Sequence, residues 1–321
     1  MSRRTVAVLI VLAMVGTVAF ALAGCARKPA GPTKVRIGTV PTEDALPLFV
    51  AVEKGYFKKK GLDVTIETFP SAQERDAALQ AGKIDGFMGD LLAAAMLENG
   101  GVDVSVVSIM MGATPPEGRF AILVPGNSPI KGIAQLRNVP VAISKDTVIE
   151  YVTDELLKEY GLKGSEIKKV EVKKIPIRQE MLVAGQLQAA TLPDPFAAVA
   201  EKRGARVIVD DTRGANLSQT VLLFRKDFVD KDGEVVTAFL EAQNEGVKAI
   251  KDNPAAFQPL LIQKARIPTI IARTYLVGKY PAVQVPKKAD VDRVLKWMSA
   301  KKLIKGDVTY ERVVDQEVQP K

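Results

Sequence analysis

From residue 34 onward, apolar positions alternate between two rhythms, short β-type runs and stretches with helical spacing. Residues 35–40 read as a strand and 46–55 as a helix stopped by Gly55. Leu62-Asp63-Val64-Thr65-Ile66-Glu67 alternates apolar and polar with period two, which predicts a half-buried strand. Ser71, with Glu74 three residues on, opens a helix that ends near Gly82. A strand at 84–88, a helix at 90–98 and a strand at 104–111 follow. Residues 121–125 then run out of this unit, and Pro125-Gly126-Asn127-Ser128-Pro129 is a dense turn cluster. Beyond it the rhythm restarts, with strands at 139–144, 170–175, 188–192 and 206–209 and helices at 148–160, 178–185 and 196–203. Such alternation predicts an α/β protein with mainly parallel sheets covered by helices. A strand at 220–224, a long helix at 234–251 and helices at 254–264 and 290–302 form a tail that packs back on the first unit.

The two units resemble each other. Residues 79–106 lie on 182–209 at a constant offset of 103, with nine identities that include Leu79/Leu182, Gly82/Gly185, Glu98/Glu201 and Gly101/Gly204. Helix-strand segments share Ala, Gly and Val by chance, so this register has two explanations: coincidence, or two lobes of one topology. The second makes 34–124 with 224–321 one lobe and 125–223 the other, the chain crossing near 123–127 and 222–226. Two crossings make a hinge with a cleft between the lobes. It also puts Asp90 and Asp194 at matching strand ends, where open α/β sheets bind ligands.

Composition removes most catalytic chemistry. The chain has no histidine and one cysteine, Cys25. No imidazole is available to shuttle protons, no Ser/His/Asp or Cys/His nucleophile system can be assembled, and soft-metal sites lack their usual ligands. No cofactor is implied. With 45 Lys and Arg against 37 Asp and Glu the net charge is +8, but the lysines are scattered in short groups such as Lys58-Lys59-Lys60 and Lys301-Lys302. Nucleic-acid binding calls for a focused patch interleaved with aromatics, and aromatics are 6% of the chain.

Residues 1–24 have the form of a cleaved secretory signal: Arg3 and Arg4, an apolar run over 6–22, then Ala23 and Gly24. Leu22-Ala23-Gly24-Cys25 resembles a bacterial lipobox, in which the cysteine carries lipid and becomes the first mature residue. Residues 25–33, with Pro29, Gly31 and Pro32, then form a tether. An uncleaved membrane anchor is the alternative, since a 17-residue apolar run (6–22) is near the lower limit for a span.

Candidate site residues sit at the strand-to-helix turns. In Pro41-Thr42-Glu43-Asp44, Thr42, Glu43 and the following backbone N–H groups can receive polar or anionic atoms, or Thr42 and Asp44 simply cap the helix. Gly89 allows close approach and Asp90 accepts from a ligand amine or caps its helix. Met110, Met111 and Gly112 close the next strand at the same edge, the methionines as core or as pocket lining. In the second lobe Ser144 and Thr147 offer hydroxyls to an anion or amide, or serve as caps. Pro193-Asp194-Pro195 is a rigid turn that holds Asp194 at the cleft.

Several runs carry a family resemblance across nearly the whole mature chain: Gly38-Thr39-Val40-Pro41, Val52-Glu53-Lys54-Gly55-Tyr56-Phe57 followed by Gly61-Leu62-Asp63-Val64, Ala81-Gly82-Lys83-Ile84-Asp85, Gly89-Asp90 and Leu192-Pro193-Asp194-Pro195-Phe196. The chain resembles the solute-binding subunits of importers for nitrate, sulfonates, taurine and thiamine-pyrimidine precursors, a branch of the periplasmic-binding-protein-like fold of the second type. The resemblance implies a monomeric lipid-anchored receptor that captures a small solute between two lobes and delivers it to an ABC permease. A receptor that signals to a membrane partner and a fold-related lyase are the alternatives. Enzymes of this family that make the thiamine pyrimidine consume one of their own histidines, and this chain has none. Asp90 and Asp194 would repel a bare oxyanion in a partly desolvated cleft. The expected solute is therefore a small organic molecule with an amine, amino-heterocycle or amide, including zwitterions such as taurine.

Overall fold

The computed structural model describes residues 31–215 and 217–320. The leader, Cys25 and most of the tether lie outside the described residues.

The first sheet begins with β1 (Thr33–Thr39), followed by a 3-10 turn (Glu43–Ala45) that runs into α1 (Leu46–Glu53). The sequence of α1 is almost wholly apolar, so Leu46 through Ala51 are all buried. Gly55 takes φ +71° and opens the short α2 (Tyr56–Lys59), and Gly61 takes φ +75° ahead of β2 (Leu62–Thr68). Both conformations favour glycine. Phe57, 2% exposed, meets Phe239 at 4.6 Å between ring centroids; burying a side chain of this size contributes about 1.5–3 kcal/mol. Ser71 caps α3 (Ala72–Gln80) by accepting from the Glu74 N–H at 3.2 Å and donating to the Glu74 carboxylate at 2.9 Å. β3 (Gly86–Asp90), α4 (Leu91–Asn99) and β4 (Val104–Met111) follow.

The second sheet uses β5 (Phe120–Val124), β6 (Pro140–Ile143), α5 (Val148–Glu159), β7 (Lys168–Glu171), α6 (Ile175–Val183), β8 (Ala189–Pro193), α7 (Phe196–Lys202) and β9 (Arg206–Asp210). The chain returns through β10 (Thr220–Arg225) into α8 (Lys226–Asp252), which kinks at Asp232. It ends with α9 (Gln258–Lys264), α10 (Thr269–Ala272), α11 (Lys288–Ala300) and α12 (Tyr310–Val313).

Strand order is β2-β1-β3-β10-β4 in one sheet and β7-β6-β8-β5-β9 in the other. β1 and β3 are parallel, as are β6 with β7 and with β8. β10 runs against β3 and β4, and β5 runs against β8 and β9. The sheets are therefore mixed, each receiving one antiparallel strand. Their common order supports the 103-residue register. That offset carries α3 onto α6 and β3 onto β8 end for end, and Gly82 and Gly185 both take positive φ, +66° and +72°.

The passages between sheets differ from the sequence expectation. They lie at 112–119 and 211–219, one strand earlier in each case than 123–127 and 222–226, so β5 belongs to the second sheet and β10 to the first. The reason is burial: Ala121 through Val124 and Val221 through Phe224 are 0% exposed, and such strands need partners on both edges and cover on both faces. They cannot serve as linkers. Residues 170–175 also differ, because β7 ends at Glu171 and Ile175 opens α6 with Pro176 in its first turn, where proline costs no hydrogen bond.

Helix α11 ties the two sheets' layers together. Trp297 Nε1 donates to Asp154 Oδ2 at 3.1 Å and its ring meets Tyr151 edge-on at 5.5 Å. Lys301 pairs with Glu150 and, at 3.6 Å, with Asp154, while Lys169 reaches the same two carboxylates at 2.8 and 2.6 Å. Burial works to raise the Glu150 carboxyl, but the two lysines hold it below its ordinary value. A lowered carboxyl stabilises the fold above its unfolded pKa of about 4.3 and loses that contribution as pH falls. Replacing Lys301 by Met leaves Lys169 as the counter-ion, so K301M should lower stability by about 1–3 kcal/mol at neutral pH. Urea unfolding should show the deficit shrinking below about pH 4; a deficit constant across pH would remove the electrostatic explanation.

Candidate functional site

The ends of β1 and β8 bring two carboxyl groups toward each other from different sheets. From the first, the turn after β1 delivers Glu43, 8% exposed, at the start of the 3-10 turn. Tyr275 donates its hydroxyl to Glu43 Oε2 at 2.8 Å, and Tyr280 donates to the Glu43 carbonyl at 2.9 Å. Burial pushes the Glu43 carboxyl up to about 8, with the charge of Asp194 adding to it and the Tyr275 hydrogen bond working against it. Glu43 is thus mostly protonated at neutral pH. Burial and the neighbouring Glu43 carboxyl push the Tyr275 phenol up as well, so it remains a donor.

From the second sheet, Asp194 follows β8 directly. Arg119 Nε and Nη2 each donate to it at 3.1 Å, the Ala198 N–H donates to Oδ1 at 3.1 Å, and Asp194 N donates to the Arg119 carbonyl at 2.9 Å. Arg119 also reaches Glu201 at 2.5 Å. Burial pushes the Asp194 carboxyl above its ordinary range, with the Arg119 bonds working against it, while the pairs with Asp194 and Glu201 outweigh burial and push the Arg119 guanidinium up. Asp44 beside Glu43 is buried, its Oδ1 has no hydrogen-bond partner among the described residues, and burial raises its carboxyl against the nearby Thr42 and Thr220 hydroxyls.

Next to this cluster lies a cavity of about 250 Å³. Pro41 lines it from the first lobe, Pro195, Phe196 and Val199 from the second, and Arg266 and Pro268 from the segment joining α9 and α10. Pro41 is two residues from Glu43 and Pro195 is bonded to Asp194, so the cavity wall adjoins the acidic cluster along the chain.

The other expected residues have identifiable partners. Thr42 is half-buried, makes no side-chain cap, and donates its hydroxyl to the Val40 carbonyl at 3.4 Å beside Asp44. Asp90 caps α4, accepting from the Ala93 N–H at 2.9 Å. A Cβ on Gly89 would come within 2.5 Å of the Phe87 ring and 3.0 Å of the Arg75 guanidinium, so the missing side chain makes room for Arg75. Arg75 stacks on Phe87 at 4.0 Å and donates to the Met88 carbonyl at 2.9 Å. Gly112 takes φ +86°, and a Cβ there would lie 3.1 Å from Gln219 Cα, where the two connecting segments meet. Ser144 donates to the Lys173 carbonyl and accepts from Arg178, both at 2.9 Å. Thr147 caps α5, accepting from the Ile149 N–H at 3.2 Å and donating to the Ser144 carbonyl at 2.7 Å. Met110 and Met111 are buried at 1% and 4% exposure. Of the expected residues, then, Glu43 and Asp194 are brought together. Sequence reasoning missed Arg119, Tyr275 and Tyr280, which lie in irregular segments without a motif.

The model of the NMT1-like family matches residues 28–261 of this chain. An Escherichia coli (strain K12) protein named for the binding of aliphatic sulfonates is 25% identical over 242 residues, covering 75% of this chain and 73% of that protein. Among solved structures, the alkanesulfonate-binding protein SsuA of Xanthomonas axonopodis pv. citri, bound to MOPS, matches with a TM-score of 0.75 at 21% identity, over 89% of this chain and 99% of that one. The desulfurization enzyme DSZB shares the fold at a TM-score of 0.68 and 15% identity, over 89% and 97% of the two chains. Likeness at these identities establishes the fold, which serves both binding and catalysis.

The raised Glu43 carboxyl makes a pH prediction. A carboxyl whose folded pKa lies above its unfolded value stabilises the fold below about pH 4.3, and that stability declines as pH rises toward the folded pKa. With Glu43 up to about 8, urea midpoints of wild type should fall relative to E43Q between pH 5 and 8.5. Parallel profiles for the two proteins would show that Glu43 is ionised throughout.

Proposed function

The chain belongs to the NMT1-like family, and from that premise we propose that it is a lipid-anchored solute-binding protein of an ABC importer. In this reading Cys25 holds it outside the cytoplasmic membrane, the interlobe cleft takes a small organic solute, and the loaded protein passes it to the permease. The leader and lipobox support the location, and relatives named for sulfonate binding support the solute role.

The observation that carries the choice of solute is Glu43 and Asp194 converging from different sheets, one protonated and one paired with Arg119. A protonated glutamic acid and a phenol offer hydrogen bonds of both senses, and an aspartate that keeps lone pairs beyond its arginine bonds accepts from a ligand amine or amide. A solute that bridges the two sheets stabilises the closed form by its differential contacts. An amine-bearing zwitterion such as taurine meets these requirements better than nitrate or sulfate. DSZB shows that the fold also supports an enzyme, but this chain has no histidine, and its one cysteine, Cys25, is the residue that the lipobox reading gives to lipid. Binding therefore fits its residues better than nucleophilic or imidazole chemistry.

A thermal-unfolding screen of the purified mature protein against taurine, alkanesulfonates, amino acids, aminopyrimidines, sulfate and nitrate tests the reading. A ligand at a hundred times its Kd should stabilise by about 2.7 kcal/mol. The expected hits carry an amine or amide, and D194N should weaken them roughly tenfold or more. Stabilisation by inorganic oxyanions alone would refute the role given to Asp194.

A further inference from the structure

Residues 253–289 include no aspartate or glutamate, while Lys264, Arg266, Arg273 and Lys279 all fall within 264–279. Arg266, Arg273 and Lys279 are exposed, and their side chains make no hydrogen bond or ion pair among the described residues. The same stretch exposes Ile270 at 48% and Leu276 at 75%, the most exposed large apolar side chain of the described residues. A lone exposed leucine is ordinary. A leucine and an isoleucine set among unpaired cations, in a segment without acids, instead suit a surface that offers negative charge and hydrocarbon together. The segment is also pinned in place. Ile267 and Ile271 are buried at 5% and 3% exposure, Gln258 Nε2 donates to the Ala272 and Tyr275 carbonyls at 3.1 and 3.0 Å, and the Tyr275 and Tyr280 hydroxyls hold Glu43. The cations and apolar side chains between these anchors are therefore presented on a fixed support.

The second sheet contributes a stretch of the same kind. Arg266 and Pro268 line the cavity together with Pro176 of α6, and Pro176 is flanked by exposed Lys173, Lys174 and Ile177, the last at 49%. Lys173 pairs with Glu171 at 3.8 Å. Cations and apolar side chains thus rim the cavity from both sheets. We propose that this rim, with Arg266, Arg273, Lys279 and Leu276 foremost, seats on an anionic lipid surface and turns the cavity toward the membrane. Charge and hydrophobicity together choose the occupant. Anionic headgroups meet the guanidinium and ammonium groups, and the acyl boundary receives Leu276 and Ile270; a nucleic acid offers only the first. The choice of a membrane also rests on the lipid-anchored reading, in which residues 25–33 keep the folded part within ~30 Å of the bilayer. At that range a weak surface attraction acts at high effective concentration. A receptor seated in this way presents its cavity to the plane of the membrane rather than to bulk solvent.

Residues 34–321 form one compact unit, so the chain from residue 26, without leader or Cys25, serves as an unlipidated probe. It is floated with vesicles of phosphatidylcholine, alone or with about 30% phosphatidylglycerol. Wild type should float with the anionic vesicles, stay behind with the neutral ones, and be released at about 0.5 M salt, where screening shortens to a few ångströms. The triple variant R266G/R273Q/K279Q should lower the partition coefficient roughly fiftyfold or more, at about fivefold per cation. Glycine suits the φ of +53° at position 266. K131Q/K163Q/K168Q removes equal charge from the segments that enter β6 and β7, at the opposite strand ends from the rim, and should change partitioning less than about threefold. A polarity-sensitive dye on L276C, the only thiol of that chain, should shift to the blue on anionic vesicles, and one on K163C should not. No binding by wild type, equal losses in the two triple variants, or equal dye shifts would overturn the proposal. Binding that appears only when the vesicles carry a permease would overturn it too, by assigning the rim to a protein. The solute screen uses no vesicles, so the solute-binding reading stands or falls separately.

Discussion

A chain that passes twice between two sheets has to end each passage in a strand that the receiving sheet can bury. Here those strands are β5 and β10, whose inner residues are fully enclosed, each running antiparallel between two neighbours. Much else depends on this exchange. It leaves the polar segments 112–119 and 211–219 as the connections, brings Gly112 against Gln219, and places Arg119 one residue before β5, where it can reach Asp194. It also registers Thr220 opposite Asp90 and Met111, next to the buried Asp44. The strands that carry the chain between the two sheets therefore also position Arg119 and Thr220 beside the carboxyl groups of Asp194 and Asp44.

The two lobes show how one local design is tuned by a single neighbour. Arg75 and Arg178 stand 103 residues apart, each buried, each donating to the carbonyl of a corresponding strand residue, Met88 and Thr191. In the first lobe Asp76 pairs with the arginine at 2.7 Å. In the second the matching position is Gln179, so among the described residues Arg178 has no carboxylate and its Nη2 no hydrogen-bond partner, and burial pulls it down to about 10. Its remaining bonds go to Ser144 and the Val172 carbonyl. The hydroxyl expected to meet a ligand therefore meets an arginine instead.

Local patterning accounts for most elements. Ser71 and Glu74 form the cap their spacing implies, Gly55 and Gly61 take the left-handed backbone their positions require, and the 103-residue register corresponds to two sheets of one order. Asp90 had two readings, and the Ala93 hydrogen bond shows it as a cap. Tyr275, Tyr280 and Arg119 were not legible. They lie in segments without periodicity, and Tyr275 reaches Glu43 across 232 positions of sequence.

What the amino-acid sequence determined by itself was everything that acts over a few residues or depends on composition. That includes the α/β rhythm, the caps and turns, and the absence of imidazole. Only the tertiary structure decided which sheet receives each apolar strand, and which polar side chains converge. Strand partners are chosen by burial on both edges and both faces, which no local window contains. The Glu43 carboxyl likewise becomes protonated because the exclusion of water and the charge of Asp194 arrive from distant segments and outweigh the Tyr275 hydrogen bond. Its own neighbours in sequence would leave it an ordinary surface acid.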